Sequence, residues 1–439
     1  MNKKRIFFSF LIVTMAFTAI GQNMPPVAKR GSTVIDDSTK NVYGPSTTLY
    51  NFEKNIIYNL DSLKPSDTTL IDFHYNFHPL DQLKYTYHDL GNLGTALNPL
   101  FTSSPNTIGA RLGVDAFDYY LFDPAKIEYY DTKSPYSWFR STWGGGGRSK
   151  TEVGYTRNIN PRWNFGGNYK SYLADKQVQK LRRGDRNVES IGYNFFTSYR
   201  SKNEKYWLFS SFDRTKHQQF EQGGLSVSDS SNIDLFFSAY VGTFMSTAKS
   251  TFFKNNVHLY HDYRLSEFFR FFHTLDREKR TASFTADQTS GDIDFFDNIE
   301  IVSLEKEEED FNKFTELNNR LGVNGAAKNF YYSAYIQRRD IKMEYQWMNT
   351  DSLGIKTENA EHYAGFESGW KVKDLFRAQI EGKVMLNGGS QFKGEISSKW
   401  LEGKASRTVY LPSFYQYAYR GHYDYWNFNY DLSTHTHYN

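Results

Sequence analysis

Residues 375–400 read LFRAQIEGKVMLNGGSQFKGEISSKW. On the first arm Phe376, Ala378, Ile380, Gly382, Val384 and Leu386 fall on one face, and Arg377, Gln379, Glu381 and Lys383 on the other. After Asn387, Gly388 and Gly389 the second arm repeats the code, with Phe392, Gly394, Ile396 and Trp400 opposed to Gln391, Lys393, Glu395 and Lys399. A period of two is the signature of a β-strand. Each arm runs about 11 residues, and a tilted strand needs roughly 9–11 to cross a bilayer. An apolar face backed by a charged one is what a barrel wall presents to lipid and lumen. The eight polar positions, Arg377, Gln379, Glu381, Lys383, Gln391, Lys393, Glu395 and Lys399, are therefore candidate pore-lining residues, with Ile380, Val384, Phe392 and Ile396 pointing outward.

The turn constrains the register. An odd loop keeps each face pure, whereas an even one mixes them. Centring the loop on Gly388 sets Lys383 against Lys393 and Glu381 against Glu395, while centring it on Gly389 sets Lys383 against Glu395. Like charges directly opposite are unfavourable, so the expected centre is Gly389.

The N-terminus has the layout of a secretory signal: Lys3, Lys4 and Arg5, an apolar run from Ile6 to Ile20, then Ala19-Ile20-Gly21 as a small-x-small site. Residues 1–21 are read as that signal. No other segment approaches the 18 or so apolar residues of a spanning helix, so entry into a membrane would be as a closed barrel. A mean hydropathy of -0.66 is compatible with such a wall, because half of every strand faces water. The 33 Tyr and 37 Phe suit strands and interfacial girdles. A net charge of +3 gives no reason to expect nucleic acid as a partner. The absence of cysteine excludes disulfides, thiolate metal sites, thiol nucleophiles and a lipidated cysteine.

Residues 22–69 are polar and read as linker, with a short amphipathic piece at 50–60; strand-like material runs from Leu70 to Phe101, and loop-rich sequence continues to about Pro135. From Tyr136 the chain settles into strands. Pairs at about 149–157 and 163–173, 189–200 and 206–214, 251–264 and 267–277, 315–326 and 330–340, and 361–370 and 375–386 are joined by short turns. The intervening connections, 174–188, 215–250, 278–314 and 341–360, are long. Short and long in alternation fit an outer-membrane barrel with short turns at one end and long loops at the other. The pattern is blurred at 206–214 and 267–277. Adding 136–143 and one or two strands after Ser413 gives about 14, an even number as closed barrels of this kind require. The expected organisation is a signal at 1–21, a periplasmic or plug-like extension at 22–135, and an all-β, up-and-down antiparallel transmembrane β-barrel at 136–439.

Several phrases carry a family resemblance: Tyr87-His88-Asp89-Leu90-Gly91-Asn92-Leu93-Gly94; Arg111-Leu112-Gly113 with Phe117-Asp118; Tyr129-Tyr130-Asp131-Thr132-Lys133-Ser134-Pro135-Tyr136 running into Gly144-Gly145-Gly146-Gly147; and Arg157-Asn158-Ile159-Asn160-Pro161-Arg162-Trp163-Asn164-Phe165-Gly166. Together these resemble the putative β-barrel porin family of Bacteroidetes-type Gram-negative outer membranes, over roughly residues 70–215. The resemblance implies an outer-membrane barrel with passive pore activity and offers no catalytic residues and no cofactor. Members of that family usually run longer, and such barrels usually end on an aromatic residue; here the last residues are Thr436-His437-Tyr438-Asn439, which leaves strand number and closure open.

Other chemistry is weaker. Trp143-Gly144-Gly145-Gly146-Gly147-Arg148-Ser149-Lys150-Thr151 superficially resembles a phosphate loop, but a Walker motif needs glycine where Ser149 stands and a helix after the lysine; a strand bend is the better reading. His74 and His78, read on a strand, would lie about 13 Å apart, and His435 and His437 about 7 Å apart on one face, so neither pair makes a metal site unaided. Glu305, Glu307, Glu308, Glu309 and Asp310, near Asp292, Asp294 and Asp297, match no EF-hand spacing. Lys180, Arg182, Arg183 and Arg186 sit in a long loop within reach of lipopolysaccharide phosphates. The leading expectation is an outer-membrane porin passing small hydrophilic solutes, with outer-membrane lipid and lipopolysaccharide as partners. Its rivals are a barrel hydrolase and a secreted soluble glycan-binding β-protein.

Overall fold

The computed structural model describes residues 45–66, 77–101, 103–178, 184–226, 234, 241–286, 295, 309–345, 358–372, 375–421, 425–428 and 434–438. The signal-like residues 1–21 lie outside the described residues.

Fourteen strands make one antiparallel sheet in which each strand pairs with its neighbours in sequence. They are β1 (Tyr136–Trp143), β2 (Ser149–Asn160), β3 (Trp163–Asp175), β4 (Arg186–Arg200), β5 (Tyr206–Phe220), β6 (Lys249–Arg264), β7 (Arg270–Thr285), β8 (Glu309–Ala327), β9 (Phe330–Tyr345), β10 (Glu358–Val372), β11 (Phe376–Met385), β12 (Ser390–Ser398), β13 (Glu402–Tyr410) and β14 (His435–Tyr438). This is the expected up-and-down β-barrel wall. The first and last strands do not pair with each other among the described residues, so a seam separates β1 from β13 and β14. The count of fourteen is as expected, but its last members differ: β13 lies before Ser413, and one wall strand follows it.

In such a meander, connections alternate between the two ends. The described turns 161–162, 201–205, 265–269, 328–329 and 399–401 share one end with the strand ends Val372 and Phe376; the turns 144–148 and 386–389 share the other with the strand ends Asp175, Arg186, Phe220, Lys249, Thr285, Glu309, Tyr345, Glu358, Tyr410 and His435. The short turns close tightly because single residues adopt left-handed backbone, Lys328 at φ 42° and Glu204 at φ 56°, and because Asn160 Oδ1 accepts from the Arg162 N–H at 2.9 Å.

The β11–β12 register corrects the expectation. Its loop is odd, so the faces stay pure, but it is centred on Asn387. Glu381 stands opposite Lys393, Lys383 opposite Gln391 and Gln379 opposite Glu395, and the Met385 N–H donates to Gly389 O at 2.9 Å. This third odd register places one pair of opposite charges face to face, with two charges opposite amides, and so avoids the like pairs of the Gly388 register as the Gly389 one would. Ile380, Val384, Phe392 and Ile396 point away from the inner face, 54%, 41%, 43% and 47% exposed.

The inner face is not left to solvent. Within residues 45–66, read as linker, Leu49–Phe52 pairs with Lys64–Pro65 and with Glu128–Asp131 in a small sheet, and helix α1 (Glu53–Tyr58) follows directly. Of the strand-like stretch 70–101, the described part forms only a one-turn helix, Pro79–Gln82, and a two-residue bridge between Tyr87–His88 and Asn98–Pro99. Its apolar residues serve packing instead. Leu93, Leu97, Leu112, Phe117 and Tyr120 bury against Tyr172, Val188, Phe252, Phe314 and Met343 of the wall. Ile57, Ile127 and Tyr129 bury against Phe196, Phe209, Tyr260 and Phe272. The protein's apolar core thus lies between the N-terminal segment and the wall's concave side.

Candidate functional site

The N-terminal segment is held by polar contacts running from β3 to β11. Lys170 Nζ of β3 donates to Leu121 O at 2.8 Å, and the Asn92 amide reaches Asn187 of β4 at 2.9 Å. Gln219 of β5 accepts from the Ala96 N–H. His258 of β6 sits between Asp276 at 2.5 Å and Glu53 of α1 at 2.9 Å. Arg280 of β7 meets Asp118 at 2.9 Å. Arg339 of β9 donates to Ala110 O and pairs with Glu361, which accepts from the Ala110 N–H in turn. Lys371 of β10 and Arg377 of β11 reach Asp61 at 2.5 and 3.7 Å.

Between this segment and the wall lies a cavity of about 2140 Å³ that follows β1 from Tyr136 to Trp143 and extends to Lys254, Arg280 and Arg339. Eight residues of β1 cover roughly 23 Å along the strand at about 3.3 Å per residue, about 18 Å of the ~25 Å apolar band at the tilt of a barrel strand. Eight basic and seven acidic side chains line it, and the central ones are committed to one another. Glu278 holds Lys254 at 3.2 Å and also pairs with Arg280, and Glu152 lies 3.6 Å from Lys150 and 3.8 Å from Arg140. Trp138 turns its indole inward over Gly154, where any Cβ would collide with the ring, and Arg140 stacks 5.2 Å from it. On the segment's side, burial pushes the Tyr119 phenol up to about 12, with Glu152 adding to the shift. Burial also lowers the Arg111 guanidinium, against the pull of Asp115. It raises the Asp118 carboxyl despite Arg280.

The eight residues singled out from the sequence occupy β11, β12 and the turn after it, and the cavity's lining does not include them. Arg377 reaches Asp61, Lys383 lies 4.6 Å from the Tyr363 ring, Gln391 is buried and donates to Thr408 at 3.3 Å, and Glu395 pairs with Lys404 at 3.4 Å. Glu381 and Lys393 face each other across the hairpin, with Gln379 beside them. Lys399 is exposed in the turn beyond β12. The cavity residues escaped notice because Trp138 breaks the polar rule for inward positions; the glycine at 154, two residues past Glu152, was the available signal.

The remaining motifs resolve simply. Gly147 takes φ 65° in the bend between β1 and β2, and Ser149 begins a strand, as the strand-bend reading requires. His78 is not in a strand but caps the helix at Pro79, accepting from the Leu80 N–H at 3.3 Å; His74 lies outside the described residues. His435 packs on Tyr410 at 5.5 Å, and His437 lies opposite Thr408. Among the described residues no three His, Cys, Asp or Glu side chains are grouped to hold a metal. Arg186 belongs to β4, not to a loop, and pairs with Asp175 at 2.5 Å. Lys180, Arg182, Arg183 and the acidic positions Asp292, Asp294, Asp297, Glu305, Glu307 and Glu308 lie outside the described residues, whereas Asp310 is buried in β8.

No curated protein matches the chain. Among solved structures it is similar to the ferric enterobactin receptor from Pseudomonas aeruginosa (TM-score 0.47, 10% identity, 87% of this chain and 64% of that one). It is also similar to the siderophore receptor PirA from Acinetobacter baumannii (0.41, 11%, 64% and 44%) and to the toluene transporter TodX from Pseudomonas putida (0.27, 11%, 63% and 81%). The chain spans less than half the length of PirA. Residues 48–438 match the family described as "Putative porin", which takes in the N-terminal segment as well as every wall strand, and the chain belongs to that family.

Proposed function

We propose that this protein is an outer-membrane porin through which small hydrophilic solutes diffuse passively, with residues 45–131 acting as a plug that narrows the lumen. The carrying observation is the cavity that accompanies β1 over its whole length between the segment and the wall. Its mutually paired charges supply neither a strong cation nor a strong anion preference, since a permeating ion finds few uncompensated partners. On this reading the inward positions of the hairpin, Arg377, Gln379, Glu381, Lys383, Gln391, Lys393 and Glu395, face the lumen away from that cavity, while Lys399 lies at its rim. The protein binds outer-membrane lipid on its apolar face and performs no chemistry on its solutes.

The test is conductance of the purified full chain in planar bilayers. Stepwise channels with little selectivity between potassium and chloride are expected. Insertion without conductance, or a strong preference for one ion, overturns passive diffusion.

A further inference from the structure

Even-numbered residues of β5 and odd-numbered residues of β6 and β7 point away from the inner face, where they would meet lipid. From the short-turn end they are mostly apolar or aromatic: Tyr206, Leu208 and Phe212 on β5, Tyr263, Leu259 and Val257 on β6, Phe271 and Leu275 on β7, interrupted by Ser210 and by His261 and His273, whose rings meet at 3.1 Å. The composition then changes abruptly. Arg214 and Lys216 follow on β5, and Arg277 and Lys279 on β7, with Arg214 and Lys279 both directly opposite Asn255 of β6. Adjacent strands lie about 4.8 Å apart and alternate residues about 6.6 Å apart; Arg214 and Lys279 are level, about 10 Å apart across β6, with Lys216 one step beyond them and Arg277 one step before, so the four cations share a slanted patch of roughly 13 by 10 Å. None of the four has an acidic partner among the described residues. Their outward neighbours are Tyr193 and Ile191 on β4, and Thr315 and Leu317 on β8. On β9 the outward cation level with Lys279, Lys342, is compensated by Glu358 at 2.6 Å, and Arg338, four residues nearer the short turns, pairs with Asp340 at 2.8 Å.

The height of the patch is informative. Arg214 stands eight residues beyond Tyr206 at the short-turn end, roughly 26 Å along the strand and so about 20 Å of height at the tilt of a barrel strand, from which its long side chain reaches the far edge of a ~25 Å apolar band. There a charge meets headgroups, not hydrocarbon. The Arg214 guanidinium lies 4.7 Å from the centre of the Phe253 ring, a contact that leaves its N–H groups available to an acceptor.

We propose that Arg214, Lys216, Arg277 and Lys279 form a binding site for the phosphate groups of a phosphorylated glycolipid in the leaflet on the long-connection side. The site rests on the membrane reading above. Guanidinium and ammonium groups make charge-assisted hydrogen bonds to phosphate, and a headgroup carrying two phosphates engages the cations of β5 and those of β7 at once.

The experiment uses the full chain inserted in phosphatidylcholine vesicles and titrated with diphosphoryl lipid A, dephosphorylated lipid A or inorganic phosphate, binding being read by the thermal midpoint of the β-sheet signal. Diphosphoryl lipid A should raise the midpoint saturably, and the other two should not. Arg277→Ser with Lys279→Ser should weaken that binding roughly tenfold or more, while Arg277→Lys with Lys279→Arg keeps it and the unliganded midpoint stays unchanged. If the paired serine variant fails to insert, Arg214→Ser alone is read in the same way. Equal response to dephosphorylated lipid, competition by inorganic phosphate alone, or unchanged affinity in the serine variants overturns the site. Failure of the unmodified chain to enter vesicles overturns the membrane reading instead.

Discussion

Ile380 stands four residues from the start of β11 with more than half of its surface exposed, roughly 13 Å along the strand and so near the middle of an apolar band of about 25 Å. An Ile380→Arg substitution there should destabilise the folded protein by about 2–4 kcal/mol in a bilayer, read as a loss of refolding yield into vesicles, with little effect in detergent. Equal loss in both media would mean that Ile380 does not face lipid. Its orientation was legible in the sequence because a lipid-facing residue obeys a strict two-residue alternation. Trp138 was not legible: its inward direction is set by pairing with Gly154 across β1 and β2, a non-local fact, and its aromatic ring mimics an outward residue.

At the scale of elements, α1 and the turn after it are fastened to β10 and β11 through Asp61. Burial works against the Asp61 carboxylate, but the hydrogen bond and charge of Lys371, with Arg377 and Lys64, hold it below the ordinary range. A carboxyl depressed by folding contributes stability above its unfolded value of about 3.9 and loses it as pH falls through the lower folded value. The protection of the amides of residues 49–61, taken against their intrinsic exchange rate at each pH, should therefore fall as the pH is lowered below about 4, and Asp61→Asn should abolish that step. The strands themselves were legible in number but too short in extent: β8 runs 19 residues, far beyond the roughly 9–11 that cross a bilayer. The excess carries outward Arg338, Asp340, Lys342 and Glu344 on its neighbour β9 beyond the apolar band. The blurred alternation at β5 and β7 has a physical cause as well. Trp207, Phe209 and Phe272 point inward against the N-terminal segment while Leu208, Phe212 and Phe271 point outward, so both faces are apolar and the period of two loses its contrast.

For the whole molecule, the meander fixes which connections share an end. Protease added to intact cells should cut within 176–185 or 286–308, near Arg182 or Lys306, and spare Lys202 and Lys328 at the opposite end; cleavage at the latter two in unbroken cells would reverse the topology. The wall was legible because membrane strands repeat one simple rule. The packing of residues 45–131 was not, because it depends on partners hundreds of positions away: Asp61 meets Lys371 across 310 residues, and Glu53 meets His258 across 205. Those separations bear on how the chain assembles. Contacts so distant in sequence form late and slowly, because a long loop must be closed before they return any stabilisation. The segment made first is thus the last to find its apolar partners. Until β3 to β9 surround Leu93, Phe117, Tyr120 and Tyr129, those side chains have no shelter from water, and holding them apart from other chains is the central hazard of this protein's biogenesis.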